Sequence, residues 1–155
     1  MRFLLLLLLS TVTFGQTIQE RVSKFENSKR YVVKYDKFAK ETNIHFQTGF
    51  RSGPSMMIFA TIAEKNYFGL FFSDVVNRPL YNHPTLKFLL DGELLTIESD
   101  EIDYSVMFLL TQEQAERIAK SKTVEMQLQG FETVWDAKTL TAFRNIVSLT
   151  KPPPR

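Results

Sequence analysis

The sequence predicts an α+β domain: an antiparallel sheet, curved or two-layered, with two C-terminal helices packed on one face. Three observations lead there. Segments of β pattern follow one another without helices between them, which disfavours a parallel βαβ design. Leu86 to Leu90 and Glu93 to Ile97 flank Asp91-Gly92, a dipeptide suited to the positive φ angles of a tight hairpin. Capped helical patterns occur only late in the chain, after Thr111 and after Asp136.

Arg2 followed by Phe3 and Leu4 to Leu9, then the small and polar Ser10 to Gly15, has the three parts of a cleavable export signal. The apolar run is far short of the ~20 residues that span a bilayer. Residues 1–15 are therefore expected to be removed by a bacterial Sec-type pathway, leaving a periplasmic or extracellular protein with no transmembrane segment. Residues 16–30 form a polar arm or weak helix, with Ile18, Val22 and Phe25 at helical spacing.

The globular domain is expected over residues 31–150. Tyr31 to Tyr35 reads as a strand. Thr42 to Thr48 alternates, with Ile44 and Phe46 on one side and His45 and Gln47 on the other. Met56 to Ala63 and Tyr67 to Phe72 are apolar on both sides, which predicts central strands covered on both faces. The Asp91-Gly92 hairpin follows, then an acidic loop over 99–103 and a strand ending at Leu110. Thr111 and Gln114 form a capping box ahead of a helix with a narrow face of Ala115, Ile118 and Ala119. Val124, Met126 and Leu128 alternate with polar residues, Gly130 breaks the strand, and Phe131 to Trp135 is its antiparallel partner. Asp136 caps a final helix with Leu140, Phe143 and Val147 as its stripe. Residues 151–155, Lys-Pro-Pro-Pro-Arg, make an extended tail.

The segments YVVKYDKFAKETN and FLLDGELL, the strand–helix pair VMFLLTQEQAERIAKSKTVEMQLQ and the terminal LTAFRNI cover most of residues 31–147. Together they resemble a group of uncharacterised exported bacterial proteins. That resemblance implies an exported domain and assigns no substrate, cofactor or catalytic residue.

Composition narrows the chemistry. With no cysteine there is no disulfide, thiol nucleophile, zinc ribbon or iron–sulfur cluster. The formal charge of +2 leaves no nucleic-acid footprint. Residues 16–51 carry eight Lys/Arg against four Asp/Glu and residues 52–104 three against eight, an asymmetry able to steer a partner. Ser52 lacks nucleophile-elbow spacing, and His45 and His83 are the available histidine bases. Glu98, Asp100, Glu101 and Asp103 lack the glycine and distal glutamate of a calcium loop. Asp91, Glu93 and Asp136 are the carboxylates a glycosidase would draw on, although Asp91 already has a turn to make and Asp136 a helix to cap. Lys24 to Lys40 interleaves basic and aromatic residues, but export and near-neutral charge argue against a nucleic-acid partner.

The feature with most pull is aromatic crowding on adjacent strands. Met57, Phe59, Tyr67, Phe71 and Phe72 are the candidate apolar ligand or partner face. The expected function is that of a non-catalytic exported module that binds a protein or an envelope component, without a cofactor or metal. The alternatives are a carrier of a hydrophobic ligand between sheet and helices, and a hydrolase with an unrecognised site.

Overall fold

The computed structural model describes residues 30–50, 53–73, 84–99 and 105–150. The leader, most of the arm, Ser52, His83, the acidic loop beyond Ser99 and the proline tail lie outside the described residues.

Four strands open the fold as a meander: β1 (Tyr31–Asp36), β2 (Glu41–Gly49), β3 (Ser55–Ile62) and β4 (Tyr67–Ser73). The chain then builds a hairpin, β5 (Thr85–Leu90) and β6 (Glu93–Glu98), in a second sheet. It returns as β7 (Val106–Leu110) beside β4 and continues into α1 (Gln112–Lys120). A second hairpin, β8 (Val124–Leu128) and β9 (Phe131–Val134), and a closing helix α2 (Ala137–Leu149) follow. The result is two sheets, ordered β1-β2-β3-β4-β7 and β6-β5-β8-β9, with antiparallel pairing throughout. This is the α+β architecture that the grouped strands predict.

Period-two alternation divides the first sheet into an inner and an outer face. Ile44, Phe46, Met56, Ile58, Leu70, Phe72, Val106 and Phe108 all point inward and are at most 2 % exposed. Both helices cover this side, α1 against β4 and β7 and α2 against β2 and β3. Small residues permit the approach of α1, which buries Ala115 and Ile118. The inner side of the second sheet contributes Leu86, Phe88, Val124, Met126 and Leu128 to the same core. Trp135 links the layers, with its ring 5.6 Å from Phe88 and 5.4 Å from Phe143 of α2.

Local chemistry fixes the joints. Thr111 and Gln114 form the expected capping box, with the Gln114 amide donating to Thr111 Oγ1 at 3.1 Å and the Thr111 amide to Gln114 Oε1 at 2.9 Å. Asp136 caps α2 by accepting from the Thr139 amide at 2.7 Å. At its C-terminal end α1 is held by α2, whose Arg144 donates to the Ala119 carbonyl at 2.8 Å and the Ser121 carbonyl at 2.7 Å. Asp91 and Gly92 have φ of 50° and 94°, as the hairpin reading requires. Gln129 and Gly130, at 48° and 82°, make a second turn of the same kind, so Gly130 does more than end a strand.

Candidate functional site

The outer face of the five-stranded sheet carries the aromatic and methionine residues. Register aligns Val32, His45, Phe59, Gly69 and Leu109 in one row across all five strands. A second row holds Gln47, Met57, Phe71 and Met107, and a third Lys34, Asn43, Thr61 and Tyr67. Both helices lie on the opposite side. Expected cover on both faces of β3 and β4 is thus corrected: their inner residues are buried, whereas Met57, Phe59 and Phe71 are half-buried. Leu109 is 53 %, Val32 46 % and Tyr67 44 % exposed, so the platform opens toward its edges.

Gly69 shapes the platform. A Cβ built there would overlap the Phe59 ring, with the Phe108 carbonyl oxygen 3.1 Å away on the other side. The ring therefore lies over the glycine and shields its backbone, the cross-strand arrangement that compensates a side-chain-free position in a sheet. The product is a shallow apolar surface with a polar end. There Thr61 Oγ1 donates to Asn43 Oδ1 at 2.7 Å.

Four of the five sequence-predicted face residues, Met57, Phe59, Tyr67 and Phe71, come together here. Phe72 does not. It is in register with Met56, points inward by strict alternation and meets Phe108 edge-on at 6.0 Å. Val32, Met107 and Leu109 belong to the face and escape a local reading. Alternation within VMFLL marks Met107 and Leu109 as outward, but placing them beside Phe71 and Gly69 requires the pairing of β7 with β4, which no local pattern encodes.

His45 stands between Val32 and Phe59 with no carboxylate in its row. Its imidazole is held below the usual histidine value, first by burial and then by the positive charge of Lys34. Asp91 is occupied by the backbone, accepting from the Lys122 amide at 3.0 Å and the Thr123 amide at 2.8 Å. These bonds hold its carboxyl below the usual carboxylate range. Glu93 faces Arg117 at 3.4 Å. Asp91 and Glu93 thus line one open cavity of about 260 Å³ beside Arg117 and Lys120, Asp91 bound to backbone amides and Glu93 to Arg117, while Asp136 serves as the N-cap of α2. Glu98 lies on β6, and Asp100, Glu101 and Asp103 are outside the described residues. Among the described residues, no three His, Asp or Glu side chains gather to hold a metal ion.

The second sheet has an open groove of about 410 Å³ on its outer side, where Leu89, Leu94 and Val134 are flanked by Lys87, Glu125 and Glu132. Leu94 and Val134 are 64 % and 62 % exposed there, and the Gln127–Glu132 hydrogen bond crosses the groove. No described helix is long and apolar enough to cross a membrane. Compared with known proteins, the chain matches no protein-family model, no curated protein and no solved structure.

Proposed function

We propose that this chain is a non-catalytic exported module that binds a protein partner through the outer face of its five-stranded sheet. One observation carries the reading: a contiguous apolar platform of Met57, Phe59, Phe71, Met107 and Leu109 faces away from both helices. Contiguous apolar surface marks interaction sites more reliably than scattered exposed residues do. Methionine and aromatic side chains suit it to that use, since they adapt to a partner's shape and supply large contact area. The space between sheet and helices is occupied by Phe72, Phe108, Ile118, Phe143 and Ile146, all at most 2 % exposed. This packing favours surface binding over carriage of a ligand in the interior. Export rests on the Arg2 to Gly15 segment of the sequence.

Photocrosslinking in a bacterial host tests the reading. The full chain carrying a benzophenone side chain at Leu109 is expected to give one discrete protein adduct. The same adduct should be lost when Phe71 is changed to Lys, and should not form from the probe at Leu94 on the other sheet. An exported, folded chain that forms no adduct at Leu109, or forms the same adducts from both faces, overturns it.

A further inference from the structure

One end of the five-stranded sheet presents two turns with exposed aromatic residues. Tyr35, Thr42 and Ile62 share a row, so the β1–β2 turn (37–40) and the β3–β4 turn (63–66) project from the same end. At the first, Phe38 is 88 % exposed and Tyr35 66 %. Tyr67 flanks the second.

We propose that this end docks on an anionic phospholipid surface, with Phe38 as the inserted side chain. The turn is built to hold the ring outward. Asp36 Oδ1 accepts from the Phe38 amide at 2.8 Å and the Ala39 amide at 3.1 Å, and Lys40 takes a φ of 55° to close the hairpin. A turn backbone fixed in this way need not be ordered on insertion, which favours binding.

The charges are placed to match. Lys37 Nζ lies 5.0 Å from the centre of the Phe38 ring, and Lys65 Nζ lies 5.9 Å from that of Tyr67. Lys34 and Lys40 add two more cations on the same hairpin. Their long stems can follow an aromatic ring into the interface while the ammonium groups remain among the headgroups. Three carboxylates share this end, Asp36, Glu41 and Glu64, and Lys34, Lys37, Lys40 and Lys65 outnumber them by one. The carbonyl of Thr150 accepts from Asn66 in the β3–β4 turn at 3.3 Å, so α2 ends beside this turn. An aromatic side chain beside lysines combines apolar insertion with attraction to anionic lipid, the two contributions that together hold a peripheral protein on a bilayer.

The tip at Phe38 is separate from the Met57, Phe59 and Phe71 patch, with Lys34 and Tyr67 on the row that borders both, and the inference stands without the partner reading. Sedimentation of the chain purified after export, without residues 1–15, tests it with vesicles of phosphatidylcholine alone and of an equal mixture of phosphatidylcholine and phosphatidylglycerol. The chain is expected to partition onto the mixed vesicles. Phe38→Ala is expected to weaken that partition about tenfold, with no change in the unfolding midpoint because the ring is exposed. Lys37→Gln with Lys65→Gln is expected to weaken binding to the mixed vesicles and leave any binding to phosphatidylcholine unchanged. Absence of partition onto the mixed vesicles, or partition indifferent to Phe38→Ala, overturns the proposal. So does a Phe38-dependent sedimentation shift without vesicles, which identifies the tip as a contact between copies of the chain.

Discussion

Phe71 and Phe72 share a peptide bond, yet Phe72 packs fully buried against Phe108 while Phe71 stands beside Met57 and Met107 on the outer face. Alternation in a strand assigns them opposite environments, and substitution is expected to separate them. Phe72→Ala removes a core ring and is expected to cost about 3–5 kcal/mol, whereas Phe71→Ala is expected to cost about 1 kcal/mol. Denaturant unfolding followed by Trp135, the chain's single tryptophan, measures both. Equal losses would contradict the assignment of faces. His45 provides a second test. Its folded pKa lies below its unfolded value, so protonation is resisted by the fold. Its contribution is complete above the unfolded histidine pKa, about 6.5, and is lost as pH falls through the lower folded value. His45→Gln is expected to flatten the fall in stability between neutral and mildly acidic pH. An unchanged slope would show that burial of His45 is not felt.

At the scale of elements, short polar contacts fix where each segment ends. Thr111→Ala removes the cap of α1 and is expected to cost about 1 kcal/mol. Arg144→Met leaves two carbonyls at the other end of the same helix without their cation and is expected to cost a similar amount, about 1 kcal/mol. Thermal unfolding of the two variants checks both. Three aspartates act together on pH dependence. Asp36, Asp91 and Asp136 accept backbone amide hydrogen bonds that hold their carboxyls below the usual range. Each contributes fully above the unfolded carboxylate pKa, about 3.9, and loses that contribution as pH falls through its depressed value. The unfolding midpoint is therefore expected to fall in this acidic window, and Asp91→Asn to reduce the fall. These elements were legible from local sequence because their determinants are local: Thr111 with Gln114, Asp136 before an apolar stripe, Asp91 before Gly92. The anchoring of Asp91 on Lys122 and Thr123 was not legible, since it joins residues more than thirty positions apart. A turn residue with a second, distant task looks the same in sequence as one without it.

At the scale of the whole molecule, the strands and helices follow from pattern, and their pairing does not. β7 joins β4 only after the chain has built a hairpin in the other sheet, and β8 pairs with β5 across the first helix. Those two non-local choices create both sheets and place Met107 and Leu109 beside Phe71 and Gly69. Apolar residues on both sides of β3 and β4 suggested burial of both. The helices cover one side, and the apolar residues left on the other are the basis for reading the protein as a binding module. The methionines offer a direct probe, because Met56 and Met126 are core residues while Met57 and Met107 lie on the outer face. Peroxide oxidation of the full chain, resolved residue by residue by mass spectrometry, reports access to each side in one experiment. A binding face open to solvent predicts rapid oxidation of Met57 and Met107 with Met56 and Met126 protected until the protein unfolds; equal protection of all four would contradict it.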